Sequence, residues 1–221
     1  ILGSKVYLLE QESRIAPRFA PSVSDGLVHL LAKKYGVDVI PDAQVVEVSN
    51  DGPVVRLGYS RGGAEHALKA ERILIAIGVV PSTDLGLMNA DVKFNDAGVT
   101  VDEFLQTSTI NIYAVGDVTT NADLDVTAAI RQAQTVGHNL TQRRSKSAIM
   151  NLAPRVIWTD PAIAAVGATE DELVARRINY RKSTAKNAVA TRANLTNIAD
   201  GFTELLTDTH GNILGATIMS E

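Results

Sequence analysis

A carboxylate set directly behind an apolar run is a place where a chain can do chemistry, and Asp117 is such a residue. Thr107 to Thr120 reads T-S-T-I-N-I-Y-A-V-G-D-V-T-T. Ile110, Ile112, Tyr113, Ala114 and Val115 predict a short strand, apolar on both faces, of the kind buried in a parallel sheet. Open α/β sheets bind ligands at the carboxyl ends of their strands, which puts Asp117 where a ligand lies. A carboxylate accepts two hydrogen bonds, which suits the diol of a sugar-like chain. Gly-Asp behind a strand also closes ordinary turns or caps the next helix, expected near Val126, and spacing alone leaves both readings open.

Glu10 is a second candidate. Lys5 to Glu10 (K-V-Y-L-L-E) predicts an apolar strand ending in a carboxylate. In dinucleotide-binding folds the second strand ends in Asp or Glu, which hydrogen-bonds the adenosine ribose hydroxyls. Gln11 and Glu12 put no positive charge where a 2′-phosphate would sit, which favours NAD over NADP, although Arg14 is close by. Any strand end can carry a charge. The glycine-rich loop expected about 20 residues upstream lies outside the 221 residues.

The elements that position these groups follow from hydrophobic period and punctuation. Ser22 to Tyr35 predicts a helix opened by Pro21 and Ser22, with Val23, Leu27, Leu30 and Leu31 at helical spacing and Gly36 as its stop. Val37 to Ile40 and Ala43 to Val48 predict short strands, with a turn at Asn50-Asp51-Gly52. Pro53 to Tyr59 and Ala67 to Ala70 predict hairpin arms around Gly62-Gly63. Glu71 to Gly78 (E-R-I-L-I-A-I-G) predicts a strongly apolar returning strand. Val126 to Gln142 predicts a helix with Val126, Ala129, Ile130, Ala133, Val136 and Leu140 as its apolar stripe. Beyond Asn151 come short strands at Arg155 to Trp158, Ile163 to Val166 and Asn179 to Lys182, with a helix at Glu170 to Ala175. An antiparallel hairpin, Gly201 to Thr207 and Asn212 to Met219, closes the chain.

Composition narrows the function classes. A net charge of −4 gives no basic footprint for nucleic acid or an anionic membrane. No apolar run approaches the roughly 20 residues that span a bilayer, and no leader segment is visible. There is no cysteine, so disulfides and thiol chemistry are not carried by these residues. His29, His66, His138 and His210 are too scattered for a metal cluster and read as surface or helix-face residues. The chain begins at Ile1, almost inside a strand, as a cut segment would.

The Thr107–Asp117 run resembles the second FAD-contacting motif of the pyridine nucleotide-disulfide oxidoreductases, T-x-x-x-x-I-Y-A-x-G-D. Thr107, Ile112, Tyr113, Ala114, Gly116 and Asp117 match it. Thr159 to Leu173 (T-D-P-A-I-A-A-V-G-A-T-E-D-E-L) resembles the opening of the same family's dimerisation domain, as does Gly215-Ala216-Thr217-Ile218. One departure is Gly78 to Thr83 (G-V-V-P-S-T), where the family usually has G-R-x-P-N-T.

The resemblance implies an α/β fold in three parts: residues 1–80 as the second half of an NAD(P)-binding Rossmann-like domain, 81–148 as the returning part of an FAD-binding domain, and 149–221 as the start of an α+β dimerisation domain. It implies FAD and NAD as cofactors and a cytoplasmic homodimer formed through the C-terminal part. The expected activity passes electrons between nicotinamide, flavin and a dithiol or disulfide, with a small-molecule, protein-bound or metal-ion substrate. By resemblance Asp117 holds the ribityl chain, with Gly116 beside it. Asp125, Val126 and Thr127 start the helix aimed at the flavin pyrimidine, Val45 contacts the adenine side, and Gly78 lets backbone approach the nicotinamide end. Val45 read from its own surroundings is core. The redox cysteines and the His-Glu pair of the family are absent, so no catalytic residue is expected here. The alternative is a non-catalytic dimerisation or binding fragment that has lost the redox centre.

Overall fold

The computed structural model describes residues 3–120, 126–142, 147–148, 154–189 and 200–220. These form a mixed α/β arrangement in two compact units: Ile1–Ala76 with Thr169–Ile178, and Ile77–Ala168 with Asn179–Glu221.

In the first unit β1 (Tyr7–Leu9) and β2 (Asp38–Ile40) pair in parallel, Tyr7 opposite Asp38 and Leu9 opposite Ile40, joined through helix α1 (Pro21–Tyr35). This is the crossover that parallel strands require. Proline at the first helical position costs no hydrogen bond, because the first N–H groups of a helix have no intrahelical partner. Gly36 ends α1 in the left-handed conformation, and Lys33 and Lys34 complement the negative end of the helix dipole. Val23, Leu27 and Leu30 are buried, each stabilising the fold by about 1.5–3 kcal/mol. Strands β3 (Gln44–Asp51), β4 (Val54–Arg61) and β5 (Ala64–Ala70) make an antiparallel meander. Its second turn is Gly62-Gly63 with φ of 58° and 79°, the positive pair that a two-residue hairpin turn demands.

Two expected strands are absent, and each absence has a visible cause. Glu71 to Gly78 joins no ladder among the described residues, and Leu74 and Ile77 are 91% and 94% exposed. A strand apolar on both faces needs neighbours on both edges, and none of the described strands pairs with it. Ile110 to Val115 instead folds back on the chain just before it: Thr107 N–H donates to Ile112 O at 2.9 Å and Ala114 N–H to Leu105 O at 3.1 Å. A single antiparallel bridge, Gln106 with Tyr113, is all the ladder it makes. Local closure replaces parallel pairing there.

In the second unit, β6 (Phe94–Asn95) and β7 (Gly98–Val99) form a small ribbon, and helix α2 spans Val126–Thr141. A five-stranded antiparallel sheet takes the C-terminal part in the order β10-β11-β12-β9-β8, from β8 (Arg155–Ile157), β9 (Ala162–Gly167), β10 (Arg181–Lys186), β11 (Phe202–Thr207) and β12 (Ile213–Ser220). Its register sets Met219 opposite Ile163 and Thr217 opposite Ala165, so the buried Ile163, Ala165, Met219 and Leu206 share one face. Glu204 is buried on that face, opposite Thr217. Its carboxylate accepts from Lys182 Nζ at 3.2 Å and from Thr184 Oγ1 at 3.3 Å, as a buried charge requires. Helix α3 (Glu170–Ala175), which belongs to the first unit, opens on a capping box of Thr169 and Glu172. Among the described residues no helix is long and apolar enough to cross a membrane.

Candidate functional site

The Gly116-Asp117 turn is fastened from two sides. Gly116 to Val118 forms one turn of 3-10 helix, closed by Thr119, whose N–H and hydroxyl both donate to Gly116 O at 3.0 Å. Thr119 is 1% exposed and pairs with Val99 of β7, while Thr120 N–H donates to Val99 O. Gly98 permits this approach: a Cβ there would stand 2.5 Å from Val118 O, and its φ of 121° suits only glycine.

The other side is α2. Gly116 N–H donates to Gln132 Oε1 at 2.5 Å, and Gln132 is 1% exposed. Ala129 lies so close that a Cβ on Gly116 would meet its methyl at 3.3 Å. Asp117 itself faces solvent. Its carboxylate thus stands on a rigid turn beside the first turns of α2, whose unpaired N–H groups carry partial positive charge.

This arrangement corrects the expected apolar stripe of α2. Val126, Ile130 and Leu140 are 76%, 54% and 62% exposed, while Ala128, Gln132 and Asn139 form the buried face. Of the expected stripe, Ala129 packs beside Gly116, and Gln132 on the buried face accepts the Gly116 N–H. Sequence reading missed Gln132. The available signal was a polar amide placed four residues after Ala128 and seven before Asn139, a spacing that puts all three on one side of a helix.

Glu10 stands where the strand reading put it, half-buried behind β1. Its backbone ties the two parallel strand ends together: Glu10 N–H donates to Ile40 O and Ala43 N–H to Glu10 O. One carboxylate oxygen accepts Glu12 N–H at 3.0 Å, and among the described residues the other has no hydrogen-bond partner. A half-buried carboxylate with an open oxygen suits a ribose diol. Val45 is brought into the same neighbourhood through Ala43, but it is 46% exposed on the edge strand β3, not core as its own surroundings suggested. Among the described strands β3 pairs with β4 alone, at the margin of its sheet.

Gly78 has φ 120° and open space where a side chain would be, so backbone there is accessible. It lies in the second unit with Gly116, Asp117, Val126 and Thr127, whereas Glu10 and Val45 lie in the first. Asp125 falls outside the described residues. Among the described residues no cluster of three His, Asp or Glu side chains could hold a metal ion.

Each unit therefore carries an acceptor carboxylate of its own, Glu10 in the first and Asp117 in the second. Glu10 has an open acceptor at a parallel strand end, and Asp117 stands on a turn where a Cβ on Gly116 would crowd α2.

A family model described as pyridine nucleotide-disulphide oxidoreductase matches residues 1–137, and one for that family's dimerisation domain matches residues 153–221. The dihydrolipoyl dehydrogenase of Mycoplasma pneumoniae is 34% identical over 221 residues, covering 99% of this chain and 47% of the relative. The mercuric reductase of Bacillus cereus is 27% identical over 223 residues, covering 100% and 35%. Among solved structures, the HOCl-induced flavoprotein disulfide reductase RclA from Escherichia coli superposes with a TM-score of 0.84 at 27% identity, covering 99% of this chain and 50% of that one. The chain spans about half the length, or less, of these relatives.

Proposed function

Because this chain belongs to the pyridine nucleotide-disulphide oxidoreductase family, we propose that it supplies half of the flavin site and half of the nicotinamide site of an FAD-dependent NAD(P)H oxidoreductase. The observation that carries the reading is the bracing of the Gly116-Asp117 turn by Gln132 and Ala129. A carboxylate that must hold a flexible diol gains most when its own backbone is fixed, since less freedom is lost on binding.

Each residue then has one task. Asp117 accepts hydrogen bonds from the ribityl hydroxyls of FAD, and Gly116 keeps that turn close to the helix. Val126 and Thr127, with Asp125 before them, direct backbone N–H groups and the positive end of the α2 dipole at the flavin pyrimidine. Glu10 accepts from the adenosine ribose of NAD, Val45 borders the adenine, and Gly78 admits backbone close to the nicotinamide. Bound flavin supplies the redox chemistry between nicotinamide and a dithiol or disulfide. Residues 1–80, 81–148 and 149–221 would be the nicotinamide, returning flavin and dimerisation parts, and the whole protein a cytoplasmic homodimer. Similarity to a dihydrolipoyl dehydrogenase and a mercuric reductase supports a lipoamide-type disulfide or a metal ion as substrate class.

A second reading rests on one observation: the 221 residues contain no cysteine. The dithiol must come from outside this chain, and a protein without one would be a redox-dead binding relative.

Flavin content tests the first reading. In the complete protein carrying this chain, Asp117→Ala is expected to lower FAD per protomer after gel filtration, and Glu10→Gln to weaken NADH binding. Full FAD occupancy in the Asp117→Ala protein would contradict the assigned role. A parent frame without a redox cysteine pair would favour the second reading.

A further inference from the structure

We infer that Asp171 is a specificity-determining residue for the dinucleotide: it holds the Arg14 guanidinium, and so keeps that cation from a 2′-phosphate. The inference rests on the reading above that Glu10 binds the adenosine ribose.

The loop behind β1 is tightly pinned. Glu10 Oε1 accepts Glu12 N–H, and Asp42 N–H donates to Glu12 O at 3.0 Å. Arg14 follows two residues later. Four residues of fully extended chain span at most about 14 Å, and a bent loop less, so the Arg14 backbone lies within that distance of Glu10. An arginine in this neighbourhood is what accommodates a 2′-phosphate in dinucleotide folds.

Here the guanidinium is engaged elsewhere. Arg14 Nη2 donates to a carboxylate oxygen of Asp171 and to Pro17 O at 3.2 Å. Asp171 lies in the first turn of α3, whose orientation is fixed by the Thr169–Glu172 capping box. Arg14 Nε is buried and has no acceptor. Freed from Asp171, Nη2 would offer a charged donor of the kind that binds phosphate. With Asp171 in place, the Arg14 charge is neutralised and a 2′-phosphate meets the Glu10 carboxylate without a compensating cation. Selectivity for the 2′-hydroxyl form thus comes from a helix that follows Arg14 by more than 150 residues in the chain.

The test is calorimetric titration of the complete protein with 5′-AMP and with 2′,5′-ADP, for wild type, Asp171→Asn, Arg14→Gln and the double variant. Wild type is expected to prefer 5′-AMP. Asp171→Asn should bind 2′,5′-ADP about tenfold more tightly than wild type, the worth of one new charge-assisted hydrogen bond, with 5′-AMP changed less than twofold. The gain should vanish in the double variant and shrink with added salt. Asp171→Ser repeats the measurement with a second side chain, and 5′-AMP affinity reports on folding in each variant. Unchanged 2′,5′-ADP affinity in both Asp171 variants, or a gain that survives loss of Arg14, overturns the inference. Glu10→Gln separates the two claims: weakened 5′-AMP binding supports the ribose reading even where the Asp171 inference fails, and unchanged 5′-AMP binding removes both.

Discussion

Replacing Gln132 with methionine isolates the contact that fixes the Gly116-Asp117 turn. The two side chains have similar length, so packing changes little, but the thioether is a poor acceptor. Gly116 N–H, now 2.5 Å from Gln132 Oε1 and partly buried, would be left without its partner. Losing the acceptor for a buried donor costs about 1–3 kcal/mol. Burying the apolar methionine at a site 1% exposed offsets part of that, leaving a net local cost of about 1–2 kcal/mol, a factor of about 5–30 in an opening equilibrium. Hydrogen–deuterium exchange on peptides covering residues 113–120 of the complete protein reads this directly. Protection there should fall by that factor, with the C-terminal sheet unaffected, and FAD retention should fall with it. Gln132→Glu keeps an acceptor and should preserve more of the turn's protection than Gln132→Met. If protection at Gly116 is the same in wild type and Gln132→Met, the turn is held by something else and the bracing argument fails.

Two further outcomes are expected, one at the same turn and one in the C-terminal sheet. Gly98→Ala would put a Cβ 2.5 Å from Val118 O at a φ of 121°. Strain and overpacking together should cost about 2–6 kcal/mol, seen as a lower thermal midpoint and lost FAD; an unchanged midpoint would show that β7 does not support the turn. At the β11–β12 turn, the Asn212 side-chain amide holds the Asp208 carboxyl below its ordinary value of 3.8, helped by the backbone N–H groups of Asn212 and His210. A lowered folded value means the stabilisation is present above 3.8 and disappears as pH falls through the lower folded value. Urea midpoints between about pH 5 and pH 2 should fall more steeply for wild type than for Asp208→Asn. Parallel curves would exclude Asp208 as a source of acid sensitivity.

Elements whose signals are local were legible from sequence. Helix α1 carries its proline start and glycine stop within its own residues, α3 carries its capping box, and the β3–β4–β5 meander carries its turn residues at Asn50–Gly52 and Gly62-Gly63. The strand before Glu10 was legible too, and it forms as β1, in parallel with β2. The failures depend on neighbours. Apolar runs at 71–78 and 110–115 specify burial but not against what, and here one is exposed and the other closes on Leu105–Thr107. The phase of α2 was misread because hydrophobicity was weighed and the hydrogen-bond demand of Gly116 was not; Gln132 answers a backbone group 16 residues away. The Arg14–Asp171 pair, 157 residues apart, has no signature along the chain.

The exposed stretch from Ile73 to Val80 bears on how this polypeptide behaves in a test tube. I-L-I-A-I-G-V-V is uncharged and rich in β-branched residues, and its first proline comes only at Pro81. Such a segment, outside any ladder among the described residues and mostly open to solvent, is the type that stacks with copies of itself into cross-β fibrils. Arg72 and Glu71 before it and Pro81 after it act as gatekeepers that shorten the sticky window without removing it. Exposed runs of this kind lower the solubility of an isolated chain, and Ile75→Lys is expected to raise the soluble fraction left after ultracentrifugation.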